Sequence, residues 1–304
     1  MFMVQSPNYF SKRKLTLLNK IPDPLKALLN KINQEHYEEL YEPEADGRVS
    51  LEDALNEVLE FFHERDKTSC QLRYVWMTLI FAVLVAPTVE YYQPENGFTK
   101  QTIHLIEKWI LSNIIDPVAR SRGVNYRFQA EKLKNLEYLI SEKINSSEWD
   151  KMASLQIIYE AIDVFKNSIR VLDYHQSKAA LLEILEDCLE GYAIFPGSYG
   201  RRDLFDWWLL EVVPCSWHLV PPTSLYIVEG VQNKDQIQLA QASRLQYLSE
   251  KIRFKRGSII KNTNQHNTFN NKIEGMEITF NTSIPSKAIP NSIISSEYKP
   301  SIIV

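Results

Sequence analysis

A glycine-containing turn followed by arginine and tryptophan side chains is the part of this chain best equipped for recognition. Residues 195–200 read Phe-Pro-Gly-Ser-Tyr-Gly, and two adjacent arginines follow directly. Guanidinium groups hold carboxylates or phosphates with two parallel hydrogen bonds, and tryptophan and arginine are enriched at the centres of protein interfaces. The pattern therefore predicts a partner-binding surface, whose members are Tyr199, Arg201, Arg202, Trp207 and Trp217.

The same residues also fit a purely structural role. A short helix is predicted over 201–212, and Asp203 would lie in its first turn, where a carboxylate faces the positive end of the helix dipole. Tryptophans in such a helix commonly pack against the core. Both interpretations stay open at this level, and the structural one is the more frequent use of these residue types.

A second group of polar residues lies in the turn 42–53 and resembles the calcium-binding loop of EF-hand proteins. Oxygen ligands recur there at alternate positions, and Gly47 stands where the loop bends sharply. The usual final glutamate is replaced by a shorter aspartate, so a helix-capping turn with Ser50 as N-cap is the favoured interpretation. The resemblance implies calcium ligands at Glu42, Glu44, Asp46, Arg48 (through its carbonyl), Ser50 and Asp53.

A third group, Glu186, Asp187 and Glu190, resembles the Asp-rich motif with which class I isoprenoid synthases hold magnesium against a diphosphate. That resemblance implies a metal-dependent enzyme acting on a phosphorylated or diphosphate substrate. Such a site requires a second acidic motif opposite the first, and Asp203 with Asp206 offers the nearest candidate. The alternative is a solvated acidic helix face.

Other catalytic patterns are missing from the sequence. It contains no glycine-rich phosphate loop, no Gly-x-Ser-x-Gly elbow and no Cys/His nucleophile pair. We therefore favour a non-enzymatic interaction or regulatory module whose partner is another protein, and we assign it no cofactor. Nucleic-acid binding through the basic termini is a further alternative, because residues 1–20 carry four basic and no acidic residues and residues 251–304 carry eight basic and three acidic ones.

Composition and apolar spacing predict an all-α fold. The 304 residues include only nine glycines, and 44% are hydrophobic, which suits a helical core better than a turn-rich β-sandwich. Apolar residues recur at intervals of three and four in several segments. We expect an irregular bundle or short helix-pair stack of about eight or nine helices. They are predicted near 22–32, 50–62, 68–86, 99–116, 127–144, 148–171, 175–193, 201–212 and 236–253.

Proline positions define several of the predicted helix ends. The uncharged run 74–89 is predicted to form the central buried helix, which is predicted to stop at Pro87. Pro214 is likewise predicted to exclude helix after the segment 201–212. The chain then divides into a basic N-terminal extension (1–20), one helical domain (21–256) and a disordered tail (257–304), whose Asn, Ser and Thr content is too polar to pack.

Compartment is predicted from cysteines and hydropathy. Cys70, Cys188 and Cys215 have apolar neighbours and no framework spacing, which predicts buried thiols in a reducing, cytoplasmic environment. The apolar run 74–89 is shorter than the roughly 20 residues that a spanning helix needs. We therefore expect no membrane partner.

Overall fold

Helices provide the regular secondary structure of the described chain. The computed structural model describes residues 20–65, 67–92, 97–115, 138, 155–194, 200–226 and 233–274. These ranges contain no β-strand, which confirms the predicted all-α class. The α-helices are α1 (Asp23–Gln34), α2 (Leu51–Arg65), α3 (Lys67–Tyr92), α4 (Phe98–Ile115), α5 (Leu155–Arg170), α6 (Ser177–Leu189), α7 (Arg201–Trp207), α8 (Val213–His218) and α9 (Lys234–Glu274).

Apolar periodicity predicted the inward faces of α2 and α6 residue by residue. Spacings of three and four place the apolar side chains of each helix on one side, and burying that side removes them from water. Every residue of both predicted stripes is buried. They are Leu51, Ala54, Leu55, Val58, Leu59 and Phe62 in α2, and Ala180, Leu181, Ile184, Leu185, Cys188 and Leu189 in α6.

Helix α3 lies at the centre of the fold, as predicted. It packs against α2, α4, α5, α6 and α8, so every one of its faces meets another helix. This arrangement explains why residues 74–86 are apolar on all sides and buried. The segment Ser69–Tyr92 is the one helix in the described ranges that is long and apolar enough to cross a membrane, and 83% of its apolar window is buried inside the protein.

Pro87 lies inside α3 and does not end it, so the predicted stop is wrong. Proline has no N–H, and the Val83 carbonyl four residues earlier therefore lacks its helical donor. The side chain of Gln241 in α9 supplies one, because its Nε2 donates to the Val83 oxygen at 2.7 Å. Gln241 is only 7% exposed. A donor from a distant helix thus compensates the bond that proline removes, and α3 continues to Tyr92.

Replacing Gln241 with leucine should lower the free energy of unfolding by about 1–2 kcal/mol, because the Val83 carbonyl would be buried without a donor. Urea denaturation followed by circular dichroism measures this loss. In a Pro87→Ala background, Gln241→Leu should lower the free energy of unfolding by clearly less, because alanine at position 87 would restore the helical N–H. Equal costs in the two backgrounds would show that the Gln241 bond does not compensate the proline.

A π-helical turn connects α7 to α8 and carries the chain through a second proline. The turn covers Trp208–Val212, and Pro214 follows in the first turn of α8. The prediction that Pro214 excludes further helix is therefore wrong, because the wider turn precedes it and proline is tolerated at a helix start. Helix α8 ends at His218, and the following residue, Leu219, has a left-handed backbone (φ 56°).

Several predicted segments lie wholly or partly outside the described residues. Of the predicted N-terminal extension only Lys20 is described, and of the predicted helix 127–144 only Tyr138. Helix α9 runs to Glu274, beyond its predicted end at Arg253. Residues 275–304 of the predicted disordered tail lie outside the described part. By internal contacts the chain divides into two units, Met1–Ile260 and Lys261–Val304.

Candidate functional site

Arg201 holds the C-terminal end of α6. Its side chain is 1% exposed, and its Nη1 donates to the Leu189 carbonyl at 3.0 Å and to the Glu190 carbonyl. The guanidinium also lies 5.3 Å and 5.5 Å from the ring centres of Tyr41 and Tyr192. A cation at this place satisfies carbonyls that α6 leaves without helical donors and opposes the negative end of its dipole. Arg201 therefore faces the protein interior and not a partner.

Arg202 holds the C-terminal end of α1 in the same way. Its Nη2 donates to the Asn33 carbonyl at 2.6 Å, and its Nη1 donates to the Glu35 carbonyl at 2.9 Å. Ion pairs with Glu42 and Asp206, at 3.1 Å and 2.9 Å, occupy the rest of the guanidinium. The two neighbouring arginines thus join α7 to the ends of two different helices.

The tryptophans of the predicted surface pack against the core. Trp207 is 7% exposed, its Nε1 donates to the Ser224 carbonyl at 2.9 Å, and its ring meets Phe81. Trp217 is partly buried, with the Arg73 guanidinium 3.6 Å from its ring centre. Tyr199 lies outside the described residues. Each of the four described members of the predicted surface therefore contacts other residues of the same protein.

The three carboxylates of the predicted magnesium motif belong to no group of His, Cys, Asp or Glu side chains that could hold a metal ion in the described part of the chain. Burial, together with the charges of Asp163 and Glu160 on α5 and of Glu183 and Glu186 on α6, raises the pKa of Asp187 to about 8. Asp187 therefore belongs to the interface between α5 and α6. Its Oδ2 is buried and has no hydrogen-bond partner.

Glu186 and Glu190 also interact with carboxylates outside α5 and α6. Burial raises the pKa of Glu190 to about 7, with further contributions from the charges of Glu39 and Glu186, while Arg201 opposes the shift. Burial and the charges of Glu183 and Glu52 raise the pKa of Glu186. These two carboxylates thus lie towards α2 and the turn before it.

The second acidic motif does not complete a metal site either. Asp203 is exposed, and Asp206 accepts a hydrogen bond from Arg202. Across the described ranges, no group of three or more His, Cys, Asp and Glu side chains is arranged to hold a metal ion.

The turn that resembles a calcium loop is organised as a helix cap. Ser50 Oγ accepts from the Asp53 backbone N–H at 3.1 Å, which is the N-cap geometry expected of the favoured interpretation. Glu42, the proposed first ligand, accepts from the Tyr37 N–H and pairs with Arg202. Asp46 pairs with Arg48 and is exposed, as is Glu44. Gly47 makes the sharp turn with a left-handed backbone (φ 66°).

Two features of α9 were missed by sequence reasoning. A cavity of about 430 Å³ lies where α9 meets α3 and α4, next to Pro87 and Gln241. On the outside of α9, three large apolar side chains are exposed, namely Leu239 (70%), Tyr247 (60%) and Phe254 (78%). A usable signal existed, because these three residues lie off the stripe that Leu245, Leu248 and Ile252 form.

Comparison with known proteins adds no assignment. No protein-family model matches the chain, and no curated protein and no solved structure matches it either.

Proposed function

We propose that this chain is a non-enzymatic module that binds another protein through the outward face of α9. The observation behind the proposal is the exposure of Leu239, Tyr247 and Phe254, which are 70%, 60% and 78% accessible. Successive members are about two helical turns apart, so they follow one side of the helix. Large apolar side chains grouped on one exposed helix face are typical of a helix that occupies a groove on a partner.

The opposite face of α9 keeps that surface in place. Leu245, Leu248 and Ile252 are 1%, 3% and 2% exposed and belong to the core. Their burial fixes the rotation of the helix, so the outward residues are presented without a further ordering step. Preorganisation of this kind favours affinity, because less conformational entropy is lost on binding.

Basic residues beside the apolar face indicate the charge of the partner. The Lys251 ammonium lies 4.2 Å from the ring centre of Tyr247, and Arg253 is exposed beside Phe254. Complementary charge at an interface rim speeds association and selects among partners. The proposed partner therefore has an apolar groove with acidic residues along its rim.

The surface proposed here differs from the one that the sequence favoured. Arg201, Arg202 and Trp207 make the internal contacts described above, so a partner would have to replace existing bonds to use them. The magnesium-dependent alternative lacks a group of side chains that could hold a metal ion among the described residues. The nucleic-acid alternative shares Lys251 and Phe254 with our proposal, and the experiment below separates the two.

Affinity capture from the source cell should retain a protein with the wild-type chain. The amount captured should fall at least about tenfold with Tyr247→Ser/Phe254→Ser. Both replacements shorten exposed side chains, so the fold should remain helical by circular dichroism. Capture is followed by mass spectrometry in the presence of nuclease.

A matched control is available on the same helix. Gln246 and Glu250 are exposed and bonded to each other at 2.8 Å, so Gln246→Ala/Glu250→Ala removes a solvated pair but no apolar contact. This variant should capture the partner normally. Equal capture by both double variants would refute the proposed surface, and loss of capture on nuclease treatment would favour nucleic acid.

A further inference from the structure

The cavity between α3, α4 and α9 has the size and lining of a small-molecule site. Its volume of about 430 Å³ lies within the range of roughly 300–1,000 Å³ that ligand pockets occupy. Apolar side chains form much of its wall, with Val83 and Ala86 from α3, Ile103 from α4 and Ile237 from α9. An apolar group of several carbons would be removed from water there.

The cavity also carries charges of both signs. Glu90 of α3 lines it and accepts a hydrogen bond from the Thr99 hydroxyl at 3.2 Å. Lys100 of α4 lines it as well, is exposed, and forms no ion pair with any described residue. Arg244 completes the charged lining but is paired with Glu107 at 2.5 Å. A ligand that brings one negative and one positive group would complement Lys100 and Glu90.

We propose that this cavity binds a free α-amino acid with an apolar side chain. The ligand's ammonium group donates to Glu90, and its carboxylate pairs with Lys100. Its side chain packs on Val83, Ala86 and Ile103. This occupant supplies both charges and the apolar body that complement the lining.

Other ligand classes match the lining less well. A fatty acid or an alkylamine would satisfy one of the two charges and leave the other without a partner. A phosphate ester would bring its double negative charge towards Glu90. In an amino acid with an apolar side chain, the ammonium group, the carboxylate and the side chain each have a complementary partner in the lining.

Titration with L-leucine and L-phenylalanine, monitored by calorimetry and saturation-transfer NMR, tests the proposal. The free amino acids should bind. N-acetyl-L-leucine, which lacks the ammonium charge, and isopentylamine, which lacks the carboxylate, should each bind at least about tenfold more weakly, since a hydrogen bond to a charged group is lost. Failure of both amino acids to bind, or equal binding of the analogues, would overturn the assignment.

Variants locate the binding. Lys100→Met should weaken amino-acid binding by about tenfold, whereas Lys108→Met, which changes an exposed lysine two turns along α4 outside the lining, should have no effect. Ala240 is exposed and lines the cavity, so Ala240→Trp should block the site while the fold persists. Binding that survives both Lys100→Met and Ala240→Trp takes place elsewhere and would refute the proposed site. None of these changes alters Tyr247 or Phe254, so this result is independent of the protein-binding test.

Discussion

Replacing Arg201 with methionine should lower the free energy of unfolding by about 3 kcal/mol, because a buried charge-assisted contact is lost without a substitute. Methionine fills much of the space but donates nothing to the Leu189 and Glu190 carbonyls that Arg201 now satisfies. The cation that opposes the raised pKa of Glu190 disappears as well. Urea denaturation with tryptophan fluorescence measures the loss.

Two further variants show whether geometry or charge is responsible. Arg201→Lys keeps the charge but not the planar fork, so we expect it to recover only part of the stability. Arg48→Met is the matched control, because Arg48 is exposed and its ion pair with Asp46 is exposed as well, and it should change stability by less than about 0.5 kcal/mol. A loss of under 1 kcal/mol for Arg201→Met would contradict the capping role.

Replacing Asp187 with asparagine should stabilise the protein, and the gain should grow with pH. The pKa of Asp187 is raised from 3.8 to about 8 by burial and by neighbouring carboxylates. Below pH 4 the group is protonated in both folded and unfolded chains and has no differential effect. Between pH 4 and 8 the unfolded chain releases the proton and the folded chain keeps it. The free energy of unfolding therefore falls by up to about 1.4 kcal/mol per pH unit.

Because Asp187 is partly accessible, water reduces this loss, and we expect Asp187→Asn to add about 2–3 kcal/mol at pH 8 and close to nothing at pH 4. The measurement is the difference between the two unfolding free energies from pH 4 to 8. Asp203→Asn changes an exposed aspartate near the start of α7 and should give a flat difference. A gain for Asp187→Asn that does not vary with pH would exclude titration as its cause.

Sequence reasoning predicted helices best where burial alone selects the residues. The stripes of α2 and α6 follow helical spacing, and every predicted member is buried. The uninterrupted apolar run of α3 equally required a central position, since such a helix must be covered on all sides. These features depend on the order of residues within one helix, which can be read directly from the sequence.

The predictions that helices end at Pro87 and Pro214 were wrong because they considered only local effects. Pro87 removes a helical bond, but the compensating donor comes from Gln241, which lies far along the chain in α9. Pro214 follows a π-helical turn that adjusts the backbone before it. Neither compensation has a local sequence signal.

The candidate site illustrates a similar limit. Residue types correctly marked the segment 201–217 as unusual, but type alone does not reveal whether an arginine meets a partner or the carbonyl end of a neighbouring helix. The exposed face of α9 was overlooked because Leu239, Tyr247 and Phe254 are mixed in sequence with residues that turn inward. Helical spacing places them off the stripe of Leu245, Leu248 and Ile252, but the sequence does not show which of the two sides of the helix is exposed.

The bond between Gln241 and the Val83 carbonyl also constrains the order in which substitutions can accumulate. A lineage that first replaces Pro87 regains the helical N–H and can then vary position 241 at little cost. A lineage that first loses Gln241 passes through a less stable intermediate. Homologous chains should therefore rarely combine proline at position 87 with an apolar residue at position 241, and the two positions should covary.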